Sequence, residues 1–383
     1  MSVAGGGVSV LSAPAACARG HGVGAARKAA SGAIAAALAS AIVIAAVIPA
    51  FARKPAPAPS PSTEGALAFL RGQIGLSGLI DSYVEDRIDH SYTYDNALAV
   101  MAFVSAGDPA SAATILDAFL AIGPEPAGGF LHRYRADDGR PDGALYAGPN
   151  AYLLQAMNLF FLETGDDRYN ALARGLAEFL LSLQDTDGGL VGRPGAAWKS
   201  TENNLAALSA LHNLAGLQGL PEYAERASEI QGFLVRECWD GVRFLAGKDD
   251  PFIVTDVQAL GTLVLGPDYA NGAYWIEGYT LNTQRYAGRK TVTGFDFNAD
   301  RDTVWTEGTL QEALAFLVTG DPVRAGAYTA EAEKLYQSSG ALWLASNTGT
   351  TGYDWTLRRW QAVAPTAWYV LVSNQDNVLE LLP

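Results

Sequence analysis

Apolar residues recur along this chain at helical spacing, and the runs alternate between two kinds. From Thr63 onward about twelve such runs can be counted, and almost nothing reads as a long alternating strand. One kind is apolar nearly all round, as in Asn96 to Val104 and Val257 to Leu265; the other is amphipathic, as in Tyr223 to Leu234. A helix apolar on every face is buried on every face, whereas a striped one lies at the surface. Several pairs meet at a helix-ending Gly followed by a capping Asp: Gly107-Asp108-Pro109, Gly165-Asp166-Asp167 and Gly320-Asp321-Pro322. These predict tight helix hairpins.

Longer connections rich in Gly, Asp and aromatic residues separate the hairpins: Leu76 to Thr93, Pro124 to Gly148, Gly188 to Ser200, Trp239 to Phe252, Ala287 to Val304 and Gly340 to Ala364. After each comes an apolar helix with a polar residue in its first turn. With Asp95, Asn150, Glu202, Asp256, Glu307 and Thr366 as markers, the steps are 55, 52, 54, 51 and 59 residues. That is a repeat. Repeated helix hairpins stack into an open solenoid or close into a ring. Six buried helices inside six amphipathic ones satisfy both patterns, so an all-α (α/α)6 barrel over residues 63–383 is expected, its long loops gathered at one mouth.

Residues before Thr63 read differently. Arg27-Lys28 precedes an apolar run, residues 29–51, that ends at Ala50-Phe51-Ala52. Positive flank, apolar segment and small-residue site are the order of an export signal, and the run is also long enough to anchor in a membrane. Residues 1–52 are therefore expected to be a signal peptide or anchor, residues 53–62 a Pro-rich spacer, and the rest of the chain to lie outside the cytoplasm as a monomer. The formal charge of −14, with 26 Lys and Arg against 40 Asp and Glu, argues against a nucleic-acid partner. Of the two cysteines, Cys17 falls in the leader, so the folded part has a single thiol and no internal disulfide or cysteine metal cluster.

The densest chemistry lies in Gly294 to Thr309, where Asp296, Asp300, Asp302 and Glu307 surround Trp305. A sugar ring stacks its C–H face on an aromatic while a carboxyl group moves a proton. Asp296, Asn298, Asp300, Asp302 and Glu307 also fit positions one, three, five, seven and twelve of a calcium loop, but Arg301 stands where that loop needs Gly. No metal and no cofactor is therefore expected. Asp95, Glu202 and Glu307 open the first, third and fifth inner helices, which makes them the candidate catalytic carboxylates, Glu202 or Glu307 as acid and Asp95 as base. Candidate substrate contacts are Tyr94, Asn150, Trp198, Asn203, Asp256, Phe295, Asp296, Trp305, Trp355 and Trp368.

Four segments carry a resemblance: Tyr92 to Ala99, Ser200 to Leu205, Trp305 to Thr309 and Ala364 to Tyr369. In their order and period they resemble the six-hairpin, (α/α)6-barrel glycosidase superfamily, and in particular secreted bacterial glycoside-hydrolase-like proteins. The resemblance implies hydrolysis of an oligo- or polysaccharide, for which an inverting two-carboxylate mechanism is the expectation. The same barrel also hosts polysaccharide lyases and sugar epimerases. Those would rest on Tyr94, His132, Arg133 and Lys199 instead. A non-catalytic glycan-binding surface protein is the third reading.

Overall fold

A computed structural model describes residues 60–383; the leader and most of the spacer lie outside them. Twelve α-helices, numbered in chain order, form two concentric rings. The inner ring is α2 (Thr93–Ser105), α4 (Ala147–Thr164), α6 (Thr201–Gln218), α8 (Asp256–Leu265), α10 (Thr306–Val318) and α12 (Val363–Asn374). Each packs on the next, and α12 packs back on α2, so the ring is closed. The outer ring is α3 (Pro109–Ile122), α5 (Asn170–Ser182), α7 (Pro221–Phe233), α9 (Asn271–Thr280), α11 (Pro322–Ala332) and α1 (Thr63–Gly72), the last seated on α12 from the other end of the chain.

Burial follows the two apolar patterns. On α2 every residue from Asp95 to Phe103 is buried, while α7 buries only Tyr223, Ala227, Ile230 and Phe233, a stripe at helical spacing. Asp108 and Asp321 cap their helices by accepting the N–H of Ser111 and Arg324. At the third predicted hairpin, Gly165 ends α4 in the left-handed conformation, but α5 begins only at Asn170. Asp166 accepts the Arg168 N–H there, which makes a turn in place of the expected cap.

One rule holds the loops to the barrel, and it repeats six times. The side-chain oxygens of Asn96, Asn150, Asn204, Gln258, Thr309 and Thr366 accept the backbone N–H of Ile80, Phe130, Leu190, Phe244, Phe295 and Leu342 at 2.7–3.0 Å. Each clamp also donates to the carbonyl four residues before it. All six clamped loop residues are apolar and fully buried. Two residues further along each loop, at Ser82, His132, Gly192, Ala246, Phe297 and Leu344, the carbonyl accepts a backbone N–H from the preceding inner helix, counting around the ring: Val363, Thr93, Ala147, Thr201, Thr255 and Thr306 respectively. Every mouth loop is thus tied to two successive inner helices. An unpaired buried amide is costly, so this pattern fixes loop height and rotation at all six positions.

Strands are short and belong to the loops. β1 (His90–Tyr92) pairs antiparallel with β2 (Arg133–Arg135), joining the first two loops. β3 (Leu281–Tyr286) and β4 (Lys290–Phe295) form a hairpin that continues α9 and packs on α11. β4 falls within the connection expected from Ala287 to Val304, whereas β3 lies before it, in a stretch for which the pattern predicts no strand. β5 (Leu342–Trp343) pairs with β8 (Gln361–Ala362), and β6 (Gly349–Thr350) with β7 (Thr356–Leu357) inside the sixth loop.

At the opposite end of the barrel, the segment after α12 crosses the inner helices. Gln155 donates to the Val378 carbonyl, Ser209 to Leu379 and Asn213 to Glu380, while Asn213 also accepts the Leu382 N–H. These buried polar side chains on α4 and α6 are matched to that strap. Among the described residues no helix is long and apolar enough to cross a membrane.

The clamp makes a direct prediction. Asn150→Ala leaves the Phe130 N–H and C=O unpaired in the interior, at about 1–3 kcal/mol per orphaned group. Chemical denaturation is expected to show a loss of that order.

Candidate active site

Each clamp fixes the residues just before it. Two positions earlier stand Tyr94, Gly148, Glu202, Asp256, Glu307 and Ala364, on equivalent sites of the six inner helices. Three of these six are carboxylic acids, on the successive helices α6, α8 and α10. One turn deeper, four residues on, lie Leu98, Tyr152, Ala206, Leu260, Gln311 and Trp368. Large rings thus lie one turn below the smallest wall residues, Tyr152 below Gly148 and Trp368 below Ala364.

The acids feel one another. Burial raises Glu202 to about 8, helped by the charge of Asp256. It raises Asp256 to about 6, held down by the Val257 N–H at the helix N-terminus. Glu307 reaches about 8 through burial, opposed by a hydrogen bond from Tyr94 and supported by the charges of Asp95, Glu202 and Asp256. The Tyr94 hydroxyl donates to Glu307 Oε1 at 2.5 Å and lies 3.4 Å from Trp368 Nε1, which donates to it. Gln311 Nε2 donates to the same Glu307 oxygen at 3.4 Å. Tyr152 stacks edge-on against Tyr94 and is raised well above its ordinary value by burial, then by Glu202, Glu307 and Asp256. Four carboxylates therefore sit within electrostatic reach at one end of the barrel.

A cavity of about 400 Å³ opens over α6 and α8, lined by Glu202, Asp256, Trp198, Phe297, Tyr353 and Asp250 among others. Glu202 is partly exposed into it, and Asp256 is buried at its wall. Asp95 and Glu307 are not part of the lining. For Asp95 the reason is rotation: it stands one residue from its clamp, not two, and a helix turns about 100° per residue. It is buried beside Ser82, whose hydroxyl bonds it, and burial raises it to about 7. The expected alternation of acids on the first, third and fifth inner helices is thus replaced by three neighbours.

The other candidate residues divide. Trp198 lies on the cavity rim, 47% exposed. Trp355 is 44% exposed, with its ring 6.3 Å from that of Phe297. Asn203 is buried with its amide against α4, where a Cβ on Gly148 would come within 2.2 Å of Asn203 Oδ1. Asn150 is the clamp of the second loop, with its amide fully used by backbone groups. Phe295 is a clamped core residue packed on Tyr328, and Trp305 packs against Phe297. Trp368 is floor. Asp296 is fully buried and accepts the N–H of Phe297 and of Thr303, so it ties its own loop. Asp300 and Asp302 accept from the Thr350 hydroxyl, and Asp302 also from the Thr350 N–H. The acidic loop thereby serves as the base on which the β6–β7 hairpin stands. Asp296, Asp300 and Asp302 each offer an oxygen within 4.8 Å of the others. Arg301 adopts φ +60° at the position where a calcium loop carries Gly, while Glu307 is engaged by Tyr94.

Two residues stand apart from the sequence reading. Tyr152, hidden there in an apolar run, stands at the meeting point of the acids; its signal was its place two residues beyond Asn150. Lys199, one of the residues on which a lyase or epimerase would rest, points its ammonium at Asp185 and Asp187, at 3.1 and 2.5 Å. Lys248 is bound to Asp187 as well.

This architecture, six inner and six outer helices with acids at the inner N-termini, is an (α/α)6 barrel. No protein-family model matches the sequence, and no curated protein does. Solved structures match the fold. A glycosidase variant in complex with glucose superposes with a TM-score of 0.62 at 13% identity, over 84% of this chain and 96% of that one. An alpha-amylase from Clostridium perfringens gives 0.60 at 12% identity, over 82% and 97%. A D-mannose isomerase gives 0.60 at 11% identity, over 83% and 95%. Hydrolase and isomerase share the scaffold, so the reaction must be argued from the side chains.

Raised carboxyl pKa values carry a stability consequence. The unfolded chain ionises these groups near pH 4, the folded chain only between about 6 and 8. Their contribution is fully present below pH 4, falls progressively as pH rises above that, and is lost once pH has passed the folded values of about 6 to 8. Glu307→Gln removes one such group while keeping an acceptor for Tyr94. Thermal melts are expected to show the variant a few degrees more stable than wild type at pH 8.5, and equal to it at pH 4.

Proposed function

We propose that the protein is an exported glycoside hydrolase in which Glu202 is the general acid and Asp256 the general base of an inverting reaction. The observation that carries this is the pair itself: two carboxyl groups at equivalent positions on neighbouring inner helices, both facing one cavity, with unequal proton affinities. Packed helices lie about 8–10 Å apart. Equivalent side chains on them fall within reach of the roughly 6.5–9.5 Å separation that leaves room for a water between acid and base.

The roles follow from the environments. Glu202, raised to about 8, keeps its proton at neutral pH and delivers it to the glycosidic oxygen as the bond to the leaving sugar breaks. Asp256, lower because the Val257 N–H supports its charge, takes a proton from the attacking water. Glu307, bonded by Tyr94 and Gln311, stands behind them outside the cavity lining, where its charge would raise Glu202 and Asp256 further. Asp256 thus takes the base role that the sequence suggested for Asp95, since Asp95 does not line the cavity. The cavity lining includes no histidine, which favours hydrolysis over an isomerase that moves protons on an imidazole. Export rests on the leader pattern at residues 1–52.

A glycan-panel screen of the chain, with product anomers followed by NMR, tests the reading; release of the inverted anomer is expected. Glu202→Gln and Asp256→Asn should each lower kcat/KM by a thousandfold or more, on the scale of lost general acid or base catalysis. If these variants keep wild-type rates, the assignment is wrong.

Activity should also follow a bell-shaped pH profile. Its acid limb reflects protonation of the base near pH 6, and its alkaline limb loss of the acid's proton near pH 8, with the two carboxyls titrating as a pair. Asp256→Asn should remove the acid limb from whatever activity remains.

A further inference from the structure

Of the eight tryptophans, two are exposed, Trp198 and Trp355, and both lie at the cavity mouth or beside a residue that lines it. Tyr353, 49% exposed, lines the cavity from the tip of the β6–β7 hairpin. These rings are held, not loose. The Trp198 indole lies over Gly192, where a Cβ would come within 1.8 Å of it. The hairpin tip closes on itself, with the Thr351 hydroxyl donating to the Trp355 carbonyl and accepting the Tyr353 N–H. Its other end stands on Asp300 and Asp302 through Thr350. Tyr353 packs edge-on against Phe252, and its hydroxyl lies 3.4 Å from Asp250.

Carboxylates cluster around the hairpin. Asp250, Asp300, Asp302 and Asp354 surround the hairpin, and the nearest ammonium groups, Lys199 and Lys248, are neutralised by Asp185 and Asp187. A uronate or sulfated sugar would meet these acids at the hairpin, where the two ammonium groups that line the cavity are already paired, whereas the C–H face of a neutral pyranose loses little by leaving water for an aromatic ring.

We infer that Trp198, Tyr353 and Trp355 form a sugar-binding platform continuous with the cavity, which holds further units of a neutral oligosaccharide beyond the residue next to Glu202 and Asp256. This rests on the glycoside-hydrolase reading for the position of the cleaved bond, but not for the binding itself. Ordered aromatic rings bind by stacking with little loss of side-chain freedom, so the platform adds affinity for chains longer than the cavity alone accommodates.

The test is calorimetric titration of full-length protein, in a Glu202→Gln background that prevents turnover, with neutral hexaoses (maltohexaose, cellohexaose, mannohexaose and xylohexaose) and with hexagalacturonate. At least one neutral hexaose is expected to bind, at least fivefold more weakly after Trp198→Ala or Tyr353→Ala, with the corresponding disaccharide much less affected and hexagalacturonate not bound. Circular dichroism confirms that each variant is folded. Equal affinity of the folded variants, binding of no neutral hexaose, or preference for hexagalacturonate overturns the inference. In the wild-type background, hexaose binding that depends on Trp198 without any turnover would sink the hydrolase reading and leave the platform standing. Turnover of short glycosides together with unaltered hexaose affinity in the variants would do the reverse.

Discussion

The structure depends on satisfying backbone amides at the rim of the inner ring. Six long loops must come down onto six helix N-termini whose first N–H groups have no partner within their own helices. One short polar side chain per helix and one backbone bond per junction settle the matter at every position. Because each loop is bonded to two neighbouring helices, the rim is a closed hydrogen-bonded circuit, and no loop can slide without breaking bonds on both sides. Side chains two positions before each clamp are consequently held at one height, and that is where Glu202, Asp256 and Glu307 stand.

Holding them there opposes stability. Several acids compete for protons in a buried setting, and the gain in functional chemistry is set against electrostatic repulsion and desolvation. The surroundings limit the damage: the Val257 N–H supports Asp256, and the Tyr94 hydroxyl and Gln311 amide support Glu307. A rigid rim is what allows such a cluster to persist.

Much of the barrel was legible in the sequence because its two helix types differ so plainly in pattern. The ring, its six units and the mouth all follow from apolar faces that must be buried. The site was read less well, and the reason is geometric. The marker residues chosen for the repeat mixed three structural positions, which gave uneven steps; the clamps at 96, 150, 204, 258, 309 and 366 step by 54, 54, 54, 51 and 57. With that register Asp95 falls out of line with Glu202, Asp256 and Glu307, and Asn150 and Phe295 become structural partners of their loops. Amide, hydroxyl and glutamine side chains all perform the same bond, so residue identity conceals the equivalence. Tyr152 was hidden for a related reason, since an aromatic within an all-apolar helix reads as core.

The outer helix that completes the last unit is α1, from the start of the folded region, while its partner α12 comes about 290 residues later. At roughly 5–20 residues per second, a nascent chain would wait on the order of 15–60 s between the two. Through that interval Ala66, Leu67, Phe69 and Leu70 have no final surface to cover them. The toroid is therefore a clasp whose first half is made long before its catch, and a chaperone that binds the early segment would have the whole of synthesis in which to act.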